Sequence, residues 1–260
     1  MTSKLWIIIL LLLFTSCEEV INIDLNESEP RLVIDANITN SSPCIIALTE
    51  SQGFYSDEPY TRISGATIEL SDNMGNKEIV KETKEKGIYM SGGTYSLNIS
   101  IENMTYEAKA TIPKAIPIDS LYIYNVKVGK ENWYSPCITF LDPSEEENYY
   151  YTMMYVNGTM MRSIYLNDDE FRNGLITDRI LYFDKEDNND EELKIGDHIR
   201  VEMQTLDKGM YTFYKSLYSI AAGGATNPIS NFTGGALGCF KAYSSSYKEI
   251  TISKDHIYTK

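Results

Sequence analysis

Strict alternation of apolar and polar residues, repeated in three stretches of the first half, constrains this 260-residue chain more than any other feature. Leu32, Ile34, Ala36 and Ile38 fall on one side of an extended backbone, with Arg31, Val33, Asp35 and Asn37 on the other. Tyr95, Leu97, Ile99 and Ile101 repeat the pattern, as do Tyr106, Ala108, Ala110 and Ile112. A period of two belongs to half-buried antiparallel strands, because successive side chains of a strand point to opposite faces. Shorter runs at 44–49, 66–71 and 77–81 fit between them, separated by Gly and Asn turn signals. With no helical period among them, these runs predict a β-sandwich over residues 31–113.

The stretch IPKAIPID, with Pro113 and Pro117, marks the boundary to a larger antiparallel β domain over 114–260. Strands are predicted at 121–128, 137–141, 179–183, 198–205, 237–244 and 248–253. Between 148 and 167, Asn157-Gly158 is the strongest two-residue turn signal, and predicts a hairpin with Tyr155 opposite Met160 and Met154 opposite Met161. Met210, Phe213, Tyr214, Leu217 and Ile220 recur at helical spacing, so one helix is expected near 208–223, stopped by glycine. The fold class expected is mainly β, with a single helix.

The N-terminus reads MTSKLWIIIL LLLFTSC. One cation, Lys4, precedes an apolar run about half as long as the ~20 residues needed to span a bilayer, which is signal-peptide grammar. Phe14-Thr15-Ser16-Cys17 approximates the lipobox cleaved before a cysteine that is then acylated. Residues 1–16 are accordingly expected to be a signal peptide, Cys17 the lipidation site, and 17–30 a polar tether. Glu18 and Glu19 directly after Cys17 resemble the surface-export signal of Bacteroidota lipoproteins. That implies the outer leaflet of the outer membrane, with a periplasm-facing lipoprotein as the alternative.

Composition excludes several classes. A net charge of −14 argues against nucleic acid, whose phosphates need clustered Lys and Arg. With only 2 His, a multi-histidine metal site is out of reach. The sequence has no Gly-x-Ser-x-Gly elbow, His-Glu-x-x-His pair or phosphate loop, so no enzyme is predicted; a hydrolase would need residues gathered from distant segments. His198 reads as a solvated strand residue and His256 as part of a polar tail. Cys44, Cys137 and Cys239 are too widely spaced for a zinc or redox pair, and read as small buried hydrophobes.

Two candidate sites remain. The acidic stretch DKEDNNDEEL offers Asp184, Asp187, Asp190 and Glu191 as oxygen ligands for calcium, although the spacing and glycine of an EF-hand are missing. Calcium is the single cofactor this chain suggests. The chain also has 20 Tyr against 8 Phe and 2 Trp. Trp133, Tyr134, Tyr149, Tyr150 and Tyr151 form a candidate aromatic platform for a sugar ring or a peptide, because tyrosine joins an apolar face to a polar tip.

The sequence resembles Bacteroidota lipoproteins of the domain-of-unknown-function class DUF 4249 along nearly its whole length. The matching elements are the lipobox with its acidic residues and INIDL, then RLVIDANIT, ISGATIELSD, GIYMSGGTYSLNI, YEAKATIP, IPIDSLYI and NPISNFTGGALGCFKAYS. The last is the most specific. The departure is Cys239, where the family usually has an aromatic or aliphatic residue, which marks it as a core position. Ile63-Ser64-Gly65-Ala66 and the strands after it also look like the immunoglobulin-like sandwich of transthyretin-like and carboxypeptidase-regulatory domains. The resemblance implies a lipid-anchored β-rich protein, often encoded beside TonB-dependent outer-membrane receptors, with no known activity. The expectation is thus an accessory, ligand-capturing subunit of such a receptor. The alternative is a free-standing glycan- or peptide-binding lipoprotein.

Overall fold

A computed structural model describes residues 29–53, 56–90, 96–101, 104–128, 131–223 and 227–259. The protein is mainly β, with one α-helix, as its alternation predicts. The first half forms β1 (Leu32–Thr39), β2 (Ile45–Glu50), β3 (Thr67–Ser71), β4 (Lys77–Glu82), β5 (Ile88–Met90), β6 (Ser96–Ile101) and β7 (Met104–Ala108). Their order is β1-β2-β5-β4-β3-β6-β7, and the path curls so that β1 and β2 share one core with β3, β6 and β7. The alternation chooses the inside: Ile34, Ala36, Ile38, Leu97, Ile99, Tyr106 and Ala108 are all buried. Each large apolar side chain sealed in this way contributes about 1.5–3 kcal/mol.

The second half adds β8 (Ser120–Val128), β9 (Glu131–Leu141), β10 (Tyr149–Val156), β11 (Thr159–Met160), β12 (Tyr165–Asp168), β13 (Ile176–Ile180), β14 (His198–Leu206), β15 (Leu237–Thr251) and β16 (Ile257–Thr259). One sheet, β13-β9-β8-β16, packs on β10, β14 and the latter part of β15, enclosing Ile123, Ile138, Phe140, Met154, Val201 and Met203. Asn157 and Gly158 have φ of 50° and 83°, the double left-handed conformation whose twist suits a tight hairpin. Tyr155 accordingly pairs with Met160, and the Met161 N–H donates to the Met154 carbonyl at 2.9 Å.

β15 is where the molecule departs most from its sequence reading. The sequence predicts two strands, 237–244 and 248–253, with a break after Ser244, the first of three consecutive serines; the protein has one continuous strand of 15 residues. Serine is a weak strand former, but every one of these positions is paired, Ser244 with Thr205, Ser245 with Gln204 and Ser246 with Met203. The first part of β15 runs parallel to β1, from Val33–Leu237 to Thr39–Tyr243, and the second part runs antiparallel to β14. Phe232, Ala236, Phe240 and Ala242 thereby enter the first core, while Ile116 and Ile118 of the linking stretch enter the second. The division at 113 cuts the chain, yet the packing is laced across it.

The helix, α1 (Lys208–Ala221), begins where the Asp207 carboxylate accepts the Met210 N–H at 2.8 Å, a standard N-cap. Its packed stripe is Met210, Tyr211, Tyr214 and Tyr218: Met210 and Tyr214 belong to the expected pattern, while Tyr211 and Tyr218 take the places expected of Phe213, Leu217 and Ile220. Leu217 is exposed. The reason is aromatic stacking on β10: Tyr211 lies on Tyr149 at 4.5 Å between centroids and Tyr214 on Tyr151 at 4.8 Å. Among the described residues no helix is long and apolar enough to cross a membrane.

Candidate functional site

The second sandwich has two outer faces. α1 covers that of β10; the outer face of β8-β9-β13-β16 carries an open recess of about 570 Å³. It is lined by Tyr122 and Tyr124 of β8, Cys137 of β9, Asp178 and Ile180 of β13, and Asp255, His256, Ile257 and Tyr258 from the C-terminal turn and β16. Alternation builds this surface. Leu121 and Ile123 point into the core, so Tyr122 and Tyr124 point out. Register then sets Cys137 beside Tyr122, Ile180 beside Cys137, and Tyr258 beside Tyr124.

The Tyr122 and Tyr258 rings meet edge to face, 6.0 Å apart at 75°, and Tyr124 lies 6.3 Å from Tyr258. The Cys137 thiol donates to the Tyr122 hydroxyl oxygen at 3.1 Å. Burial pushes this thiol above its usual range, so it stays protonated and serves as a donor, not a nucleophile. Burial, then the contact with Cys137, raises the Tyr122 phenol as well. Asp178 accepts from the Thr139 hydroxyl at 2.5 Å. His256 places Nδ1 2.9 Å from the Thr251 carbonyl and 3.2 Å from Ser253 Oγ. A carbonyl only accepts, so Nδ1 carries the hydrogen in this arrangement. The recess therefore offers aromatic faces and carboxylate acceptors.

The predicted aromatic platform is not assembled. Tyr149 and Tyr151 lie under α1, and Tyr150 faces the opposite way into the core, where its hydroxyl donates to the buried Asp142. Consecutive strand residues cannot share a face, so Tyr149–Tyr151 never made one surface. Tyr134 packs against the second core. Trp133 alone of the five reaches the outer face of β9, 53% exposed and directly opposite Val126, two residues along the strands from the Tyr124–Ser135 pair.

The calcium candidates are also dispersed. Asp184 caps a short 3-10 turn by accepting the Glu186 N–H. Asp187 accepts from the backbone of Arg162 and Ser163 and from the Ser163 hydroxyl. Asp190 sits at φ 61°, and Glu191 pairs with Lys194 at 2.7 Å. Among the described residues no three acidic, His or Cys side chains converge on a metal position. The local chain uses these carboxylates to stabilise its own turns.

His198 lies exposed near Glu249, as a solvated strand residue should. His256 differs from its reading as mere tail: a 3-10 turn and β16 bring it back to the recess. Cys44, Cys137 and Cys239 are buried in separate places. Tyr122, Tyr124, Tyr258, Asp178 and His256 escaped sequence reasoning. The legible part of that signal was LYIYNV, where aliphatic residues alternate with tyrosines. Cys17 and the signal segment lie outside the described residues.

A family model described as "Domain of unknown function (DUF4249)" matches residues 18–249. The chain belongs to the DUF4249 family. Comparison with curated proteins and with solved structures gave no match. Within the DUF4249 match, the segment NPISNFTGGALGCFKAYS acts as a clasp on the first sandwich. Asn231 holds both the N–H and the carbonyl of Phe240 at 2.8 Å, and the Thr233 N–H donates to the Glu107 carbonyl at 2.8 Å. Gly238, at φ 93°, is so close to β1 that a Cβ would stand 2.0 Å from the Ile34 carbonyl oxygen. The DUF4249 match supplies Tyr122, Tyr124, Cys137 and Asp178 of the recess, while Asp255, His256 and Tyr258 lie beyond its end.

Proposed function

We propose that this DUF4249 protein is a non-enzymatic lipoprotein that captures a ligand at the outer membrane and passes it to a TonB-dependent barrel receptor. Acylated Cys17 holds it in the membrane, and residues 17–30 tether the two sandwiches on the cell-surface side. The observation that carries the capture reading is the open tyrosine recess on β8, β9, β13 and β16, a concave aromatic surface with a few polar groups. The lipobox and the acidic residues after Cys17 support the address.

The test is a gentle-detergent pull-down of the tagged full chain from its native membranes, with mass spectrometry of what accompanies it. A stoichiometric TonB-dependent barrel is the expected result. A lipoprotein recovered without any barrel overturns the receptor role. Saturable binding to a glycan or peptide array that is lost in Trp133→Ala then identifies a free-standing binder.

A further inference from the structure

We propose that the recess receives an organic cation, an ammonium or guanidinium group carried on an apolar chain. The assignment rests on the capture reading and specifies its ligand. Charge is the first argument. Asp178 and Asp255 line the recess, and neither forms an ion pair among the described residues. The lining contains no Lys or Arg. The cations nearest in sequence are elsewhere: Arg179 turns inward, 5.8 Å from the Phe140 and Tyr150 ring centroids, and Lys254 is not part of the lining. A net charge of −14 for the whole chain draws cations and repels anions.

The rings give the second argument. Tyr122 and Tyr258 stand at 75°, forming two adjoining aromatic walls, with Tyr124 as a third surface. The face of an aromatic ring is negative, so tyrosine rings lining a recess attract a cation. Hydrogen-bond sense gives the third. The Cys137 hydrogen is committed to Tyr122 and the Nδ1 hydrogen of His256 to the Thr251 carbonyl, so the charged groups of the lining, Asp178 and Asp255, are acceptors beside the tyrosine hydroxyls. An ammonium has three donors and no acceptor, which matches two carboxylates that only accept. The volume of about 570 Å³ exceeds what the charged head needs and leaves room for the chain that bears it. Ile180 and Ile257 supply apolar contact for that chain. A polyamine and a basic side chain of a peptide share this chemistry.

The experiment is calorimetric titration of the full chain in detergent. The probes are spermidine, a short peptide with Arg and Lys between leucines, the same peptide with Glu in their place, and a neutral maltotetraose. Saturable binding of a cationic probe is expected, weaker at higher salt, with no heat from the acidic peptide. The double variant Asp178→Asn/Asp255→Asn should weaken it roughly tenfold or more, as removal of charge-assisted hydrogen bonds does. Tyr258→Ala should weaken it about threefold to tenfold, and Tyr258→Phe far less. All three positions are exposed, and unchanged melting confirms that each variant folds. Spermidine alone binding identifies a free polyamine; the peptide alone binding identifies a basic side chain. Failure of both cationic probes, or equal affinity in the double variant, overturns the assignment. Should maltotetraose saturate the site and Tyr258→Ala abolish it, the cation falls while ligand capture stands. Should spermidine bind while no barrel copurifies, the cation site stands and the receptor role falls.

Discussion

Two tyrosine-bearing strands of the second sandwich end in opposite circumstances. β10 turns Tyr149 and Tyr151 outward, and α1 lays Tyr211 and Tyr214 over them as stacked pairs. β8 turns Tyr122 and Tyr124 outward, where the C-terminal turn and β16 border them and leave an open recess. The same residue type thus builds an interior in one place and a recess in the other. What decides is the next layer of chain, and tyrosine suits both positions because one end is apolar and the other polar. A tyrosine cluster in a sequence therefore carries no binding meaning until its covering element is known.

Stability measurements test that contrast most severely. Tyr151→Ala removes a stacked, buried ring and should cost about 3–5 kcal/mol in urea unfolding. A loss below about 1 kcal/mol would mean that α1 is only loosely seated.

The helix that makes the difference starts at Asp207, and acidity tests its hold. Burial outweighs the Met210 and Thr111 N–H groups and raises this carboxyl from 3.8 to about 6. The folded chain therefore holds the proton more tightly than the unfolded chain. The stability from this group is complete below about pH 4 and is lost as pH rises through 6, a difference of about 3 kcal/mol. Asp207→Asn keeps an oxygen for the cap but has no titration, so its stability relative to wild type should rise between pH 4 and 6. A parallel pair of curves would remove Asp207 from the account.

Smaller effects sharpen the other side. Tyr258→Ala should change stability by less than about 1 kcal/mol, since the residue is 57% exposed. Nitration of the native protein should modify Tyr258 before Tyr149, Tyr150 or Tyr151, whose phenols burial raises above their usual range. Early nitration of Tyr151 would show that α1 opens readily.

The sequence made the first sandwich legible because one face of each strand meets water. Ile34, Leu97 and Tyr106 alternate with polar neighbours, and that period survives in a single chain. β10 hid its role for the opposite reason. YYYTMMYV is buried on both faces, between a core and a helix, so its pattern is continuous and its tyrosines look available. The helix itself is legible from its spacing, and its inward side in part, through Met210 and Tyr214; Tyr211 and Tyr218 join them because stacking on β10 selects that side. The recess was least legible: Tyr124 and Tyr258 meet through parallel pairing of β8 and β16, for which no local signal exists.

The long strand β15 imposes a timetable on the molecule. β1 is made early, but its parallel partner is Leu237–Tyr243, and Phe232 and Phe240 fill the same interior. Contacts so distant along the chain close slowly, after the entropy of a long loop has been overcome. A chain cut short of residue 232 leaves β1 with a bare edge and its core without two phenylalanines. The sandwich that is synthesised first is thus unable to close until nearly all of the chain has been made.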